Sequence, residues 1–151
     1  MQTNIYIYPA KETDAADISA VEALCFSDAW SEASVRSALS SPLTAALVAY
    51  VGGVCVGYLL SSLLSPEGEL LRIGVHPSYR RRGIGAMLME GFLKEAKTRE
   101  CTRLFLEVRA DNEGAIALYR RFGFLDNGIR RGYYKNPTAD ALLMHRNGDL
   151  G

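Results

Sequence analysis

The residues with the plainest chemical potential form the run Arg80-Arg81-Arg82-Gly83-Ile84-Gly85. Guanidinium groups offer charge and paired hydrogen bonds to phosphate oxygens. Gly83 and Gly85 carry no Cβ, so the main chain can close on a ligand there. Met87, Leu88, Phe92 and Ala96 then recur at helical spacing up to about Arg99. The run therefore opens a helix, whose first N–H groups are unpaired and carry partial positive charge that favours an anion. A plain capping turn beside a solvated basic face would use the same residues, and the run alone does not separate the two readings. Two nucleotide signatures are missing: the three-glycine dinucleotide fingerprint and the Gly-Lys-Ser/Thr of a P-loop.

The elements that must position this loop alternate between strand and helix patterns, which predicts a mixed α/β fold. Ile5 to Tyr8 reads as a first strand. Thr13 or Asp14 can cap a helix with Ile18, Val21, Leu24 and Cys25 on one face, and Ser31 a shorter one through Leu39. Ala45–Val51 and Val54–Leu64 flank Gly52-Gly53 as an antiparallel hairpin. Ser65 to Gly68 turns into a fourth strand, Glu69 to Val75, stopped at His76-Pro77. After the glycine-rich helix, Arg103 to Val108 is a fifth strand. Asp111 or Asn112 then caps a helix to Phe122, ended by Gly123. Two further strands span Leu125 to Tyr133 and Ala139 to His145, with Asn136-Pro137 turning between them.

At 151 residues, 48% hydrophobic, the chain can bury one core, and the expectation is a single domain over residues 1–151. Seventeen basic residues balance seventeen acidic ones, which disfavours a nucleic-acid binder built on the arginines and leaves any anion site local. The start lacks the pattern of a secretion signal, and no run approaches the ~18 apolar residues of a membrane span. Cys25, Cys55 and Cys101 are widely spaced in apolar surroundings, which fits packed, reduced thiols and a cytoplasmic location. His76 and His145 have no companions at metal spacing, so no metal is expected.

Arg-x-x-Gly-x-Gly after Ile73-Gly74-Val75-His76-Pro77 resembles the acetyl-CoA loop of the GNAT superfamily of N-acetyltransferases. Three more segments carry the resemblance, which is closest to its RimI-type branch: Asp28-Ala29-Trp30-Ser31; Leu106 to Asn112 with Ala115 to Tyr119 and Phe122-Gly123-Phe124; and Arg131 to Tyr134 with Asp140 to Met144. The resemblance implies a mostly antiparallel, twisted sheet of about seven strands with about four helices, splayed between the fourth and fifth strands to admit a thioester arm. It implies acetyl-CoA as cosubstrate, with Ile73, Gly74 and Val75 pairing with its pantetheine arm. Arg81, Arg82, Gly83, Ile84, Gly85 and Ala86 would surround the pyrophosphate, and Asn112 and Tyr119 would touch the cofactor. Glu107 would be the general base and Tyr119 the general acid. The acceptor would be a protein N-terminus, namely the N-terminal alanine of a small-subunit ribosomal protein.

Chemically these residues suffice. An α-amine, with a reference pKa near ~7.7 to 8.0, must lose a proton to attack. Glu107 can take it if partly desolvated or through a water, and the sequence leaves both routes open. A phenol protonating a thiolate works uphill by about 2 kcal/mol, within reach of a positioned acid. The main-chain N–H of Val75 is the expected oxyanion donor, as the family suggests. Trp30 is either core or a border of the acceptor groove; the paired Tyr133 and Tyr134 are either ordinary strand aromatics or, as the resemblance implies, flank an acceptor peptide. Arg72, where RimI-like chains often carry a small polar residue, Gly74 in place of alanine, and the short loop at Ser65 to Gly68 depart from the pattern and are expected to alter the acceptor groove. Two other functions use the same residues: acetylation of a small-molecule amine or lysine, and a non-catalytic acyl-CoA-binding module. Oligomeric state is beyond the sequence.

Overall fold

The computed structural model describes residues 4–135 and 137–147. Seven strands form one sheet in the order β1-β2-β3-β4-β5-β7-β6. They are β1 (Ile5–Pro9), β2 (Thr44–Val51), β3 (Val54–Leu64), β4 (Glu67–Val75), β5 (Arg103–Arg109), β6 (Leu125–Tyr134) and β7 (Ala139–Asn147). The helices are α1 (Ala15–Cys25), α2 (Glu32–Leu39), α3 (Ile84–Thr98) and α4 (Glu113–Arg121). Every neighbouring pair is antiparallel except β4 and β5. This is the expected mixed α/β sheet, with β7 inserted between β5 and β6. Asn136, half of the turn expected before β7, lies outside the described residues.

The sheet buries both faces. Leu88, Met89, Phe92 and Ala96 of α3, with Ile116 and Tyr119 of α4, pack on Leu59, Leu104 and Leu106. Ile18 and Val21 of α1, with Val35 of α2, pack on Val48, Tyr58 and Leu60 across the sheet. Local chemistry sets several boundaries. Ser31 Oγ accepts from the Ser34 N–H at 3.1 Å and caps α2, and Asn112, rather than Asp111, caps α4 by accepting from the Ala115 N–H at 3.2 Å.

Two expectations for α1 need correction. Asp14 stands at its N-cap position, but its carboxylate accepts from the Lys11 N–H and the Tyr50 hydroxyl and does not cap the helix. Leu24 is 56% exposed, and the buried position beside Val21 belongs to Glu22. A charged residue occupies the apolar face because its carboxylate is fully engaged there, as the site makes plain.

Candidate active site

β4 and β5 pair only from Glu67–Leu70 with Arg103–Leu106. Beyond that point the strands part. The cause lies in β4: its register against β3 runs Leu60 with Arg72, then Ser61 with Leu70, leaving Leu71 as an extra residue. Such a bulge bends the strand that carries it. The opening is a cleft of about 980 Å³, lined by the 25–30 segment, β4 from Glu69 to Ile73, β5 from Glu107 to Arg109, Tyr119, Tyr133 and Tyr134. A second cavity of about 430 Å³ continues from it and shares Glu69 and Glu107.

The open edge of β4 carries free main-chain groups. The His76 N–H donates to the Val56 oxygen at 2.8 Å, so residues in phase with His76 address β3. Alternation then turns Ile73 and Val75 toward the cleft, where β5 no longer reaches them. The Val75 oxygen already accepts from Arg80 Nε at 3.2 Å and the Cys25 thiol at 3.4 Å. The same alternation leaves the Val75 N–H and both polar groups of Ile73 on the open side of β4.

From His76 the chain makes a short 3₁₀ turn, Pro77–Tyr79, whose first N–H groups include that of Ser78, bonded to His76 Nδ1 at 3.0 Å. Arg81 and Gly83 then both adopt left-handed backbone, at φ 65° and 80°. Successive N–H groups in such alternating conformations converge into an anion-binding concavity. Gly83 is the N-cap of α3, and no side chain among the described residues caps that helix. A Cβ on Gly83 would meet no atom within 4 Å, so the space over the loop is open. Arg82 lies over the Tyr79 ring at 5.0 Å. Ile84 is buried core, so its side chain belongs to the packing beneath α3. Gly85 has a packing role besides: a Cβ there would stand 3.2 Å from Leu118 of α4.

Glu107 and Tyr119 arrive from opposite faces of the sheet. Glu107 alternates with the buried Leu106 and Val108 and lies 3.6 Å from the Arg130 guanidinium. Tyr119 is 6% exposed and packs edge-on to Phe124. Burial pushes the Tyr119 phenol well above its ordinary value; Tyr134 adds to the rise and the Arg72 cation opposes it. Tyr134 is raised too, by burial and then by the Glu107 carboxylate. Glu69 follows the same logic, lifted by burial and by Glu107. Tyr133 and Tyr134 meet edge-to-face at 5.1 Å and line the cleft together with Trp30. Asn112 lines the cleft beside its capping bond. Among the described residues no three His, Cys, Asp or Glu side chains gather to hold a metal, and no helix is long and apolar enough to cross a membrane.

The profile of the acetyltransferase (GNAT) family matches residues 15–124, from the start of α1 to Phe124. The chain belongs to the GNAT acetyltransferase family. The N-alpha-acetyltransferase RimI of Mycobacterium tuberculosis is 40% identical over 139 residues, covering 88% of this chain and 86% of that protein. A putative ribosomal protein bS18-alanine N-acetyltransferase of Bacillus subtilis is 30% identical over 145 residues, or 95% and 96% of the two chains. The crystal structure of the ribosomal-protein-S18-alanine N-acetyltransferase from Escherichia coli matches with a TM-score of 0.90 at 30% identity, over 98% of this chain and 97% of that one. The protein is thus an N-acetyltransferase, with the family's open, splayed sheet.

In this acetyltransferase the sequence reading missed the group beneath the cleft. Glu22, 1% exposed, accepts from the Trp30 N–H and from Arg72 Nε, each at 2.9 Å, and from the Tyr58 hydroxyl. A carboxylate at helical spacing among Ile18, Val21 and Cys25 was the available signal. Glu22 and Tyr58 bear on two departures from the family pattern. Arg72 does not extend freely into the groove but is tied to Glu22. Gly74 makes room for Tyr58: a Cβ there would stand 2.7–2.9 Å from three atoms of that ring and hydroxyl. Trp30 packs against the α1 core and also lines the cleft. Cys55 and Cys101 are buried as expected, whereas Cys25 also borders the cleft.

Proposed function

We propose that this acetyltransferase moves the acetyl group of acetyl-CoA onto the N-terminal α-amine of a protein, the acceptor being the N-terminal alanine of a small-subunit ribosomal protein. One observation carries the reading: the splay between β4 and β5 gathers an open main-chain edge, a carboxylate, a buried phenol and an aromatic pair in one cleft. Relatives named for alanine N-acetylation of a ribosomal protein support the acceptor.

The residues fit the cosubstrate. The uncapped start of α3, with open space over Gly83, suits a diphosphate at the N–H groups of Gly83 to Ala86, and Arg81 and Arg82 supply charge. Ile73 and Val75 offer strand-like pairing to an amide-bearing arm. Asn112 keeps its side-chain N–H groups for the same ligand, since its oxygen is used in capping. When bound, acetyl-CoA supplies an acetyl thioester open to attack by an amine.

The chain's own groups do the rest. Glu107, 3.6 Å from the Arg130 guanidinium, accepts the amine's proton, directly or through a water. Tyr119, kept protonated by burial, holds the proton for the leaving sulfur. The Val75 N–H is the donor for developing negative charge on the carbonyl oxygen. Trp30, Tyr133 and Tyr134 flank the acceptor's first residues.

The deciding test incubates the protein and acetyl-CoA with peptides that begin with different residues, with a polyamine and with an aminoglycoside, and detects products by mass. The α-amine of the alanine-starting peptide should be the preferred site. Acetylation of small amines or internal lysines alone would overturn the acceptor. Binding of acetyl-CoA with no transfer to any amine would instead favour a non-catalytic module.

A further inference from the structure

Arg72 links three parts of the molecule at the cleft. Its side chain, 12% exposed, leaves β4 beside the bulge, pairs with Glu22 of α1 and reaches the Asp28 carboxylate at 3.5 Å. Its guanidinium lies 4.0 Å from the Phe26 ring centre and 5.7 Å from that of Trp30. Burial opposes the guanidinium charge, and Glu22, Asp28 and Tyr58 together outweigh it.

The segment from Phe26 to Trp30 has no helix or strand to hold it, yet it forms one wall of the cleft. The Trp30 N–H ties it to Glu22. Arg72 of β4 bonds the Asp28 carboxylate and lies against the Phe26 and Trp30 rings, and the Cys25 thiol just before the segment donates to the Val75 oxygen. A planar guanidinium can make paired hydrogen bonds and stack on aromatic rings at once, which an ammonium cannot.

We infer that Arg72 is a positioning residue for the acceptor: clamped by Glu22 and stacked on Phe26, it fixes the 26–30 segment as the wall against which the amine-bearing chain docks, in the cleft that Tyr133 and Tyr134 also line. This rests on the acceptor cleft assigned under the proposed function. Arg72 sends its side chain from β4 to Glu22 and the 26–30 segment, away from the main-chain edge of Ile73 and Val75 that serves the cofactor's arm, so its loss should weigh more on acceptor binding than on acetyl-CoA.

Trp30 is the single tryptophan of the chain and sits in the segment at issue, so its fluorescence reports the wall directly. The experiment compares wild type, Arg72→Lys and Arg72→Met by acrylamide quenching of Trp30 and by KM for acetyl-CoA and for whichever amine the wild type acetylates. Quenching should rise in the order wild type, Arg72→Lys, Arg72→Met. Acceptor KM should rise about threefold in Arg72→Lys and about tenfold in Arg72→Met, with acetyl-CoA KM within about twofold of wild type. An acceptor KM that stays unchanged while Trp30 becomes more quenchable overturns the inference, as does an equal rise in both KM values. Should Arg72→Met fail to fold, Arg72→Lys, which keeps the charge beside Glu22, decides by the same criteria. Failure of the acceptor assignment shows in the wild type alone, whereas failure of the positioning role shows only in the variant-to-wild-type ratio.

Discussion

Glu107 and Tyr119 are chemically complementary because their surroundings differ. The carboxylate is partly open and faces a cation; the phenol is buried. Glu107→Gln should lower kcat by about 10²-fold or more, the scale of a lost general base. Tyr119→Phe should lower kcat on a similar scale, with acetyl-CoA affinity nearly unchanged by calorimetry. Unchanged turnover in both variants would remove the assigned roles. A raised folded-state value means that Tyr119 keeps its proton beyond the ordinary ~10 for a phenol, so its ionisation should produce no alkaline fall in rate below about pH 10. An alkaline limb below that pH that vanishes in Tyr119→Phe would contradict this. Glu69 offers an independent check. Carboxyl NMR should show it titrating above the usual range, and Glu107→Gln should bring it only part of the way down, since burial is the larger cause.

At the scale of elements, two glycines serve β4 and α3 for different reasons. Gly83 needs its left-handed φ of 80°, so Gly83→Ala should cost about 1 kcal/mol in denaturant unfolding and raise the KM for acetyl-CoA. Gly74 has no such backbone demand; it leaves room for Tyr58. Gly74→Ala should therefore destabilise the fold by about 1–3 kcal/mol, the scale of overpacking a core. The measurement is again the denaturant midpoint, and a neutral result would mean that the Tyr58 ring yields at little cost. The bulge at Leu71 matters more than either glycine, because it ends the β4–β5 pairing and so makes the cleft.

For the whole molecule, one sheet carries both cores, and the single-domain expectation becomes a prediction of one cooperative thermal transition. Acetyl-CoA at a hundred times its Kd should add about 2.7 kcal/mol, which for a chain of this size raises Tm by roughly 5–10 °C. Two separated transitions, or no shift with the cosubstrate, would count against the single-domain and cofactor readings respectively.

Local patterns reached far into this protein. Hydrophobic periodicity and turn residues predicted all seven strands and four helices, because amphipathic spacing, capping serine or asparagine, and glycine at turns act within a few residues of chain. The glycine-rich start of α3 was legible for the same reason: a phosphate loop is built from consecutive backbone groups. The segment around Glu107, Asn112 and Tyr119 was recognisable as a string, although nothing in the string brings Glu107 and Tyr119 to one cleft from opposite faces. Only the tertiary structure decided that, through a bulge defined by β3 pairing and a β4–β5 contact between strands distant in sequence. The same holds for Glu22. Its place on an apolar face looks like a mismatch until Tyr58, Arg72 and the Trp30 main chain, from two strands and a loop, converge on its carboxylate. A buried charge is tolerated only when its partners surround it, and those partners are neighbours in space alone.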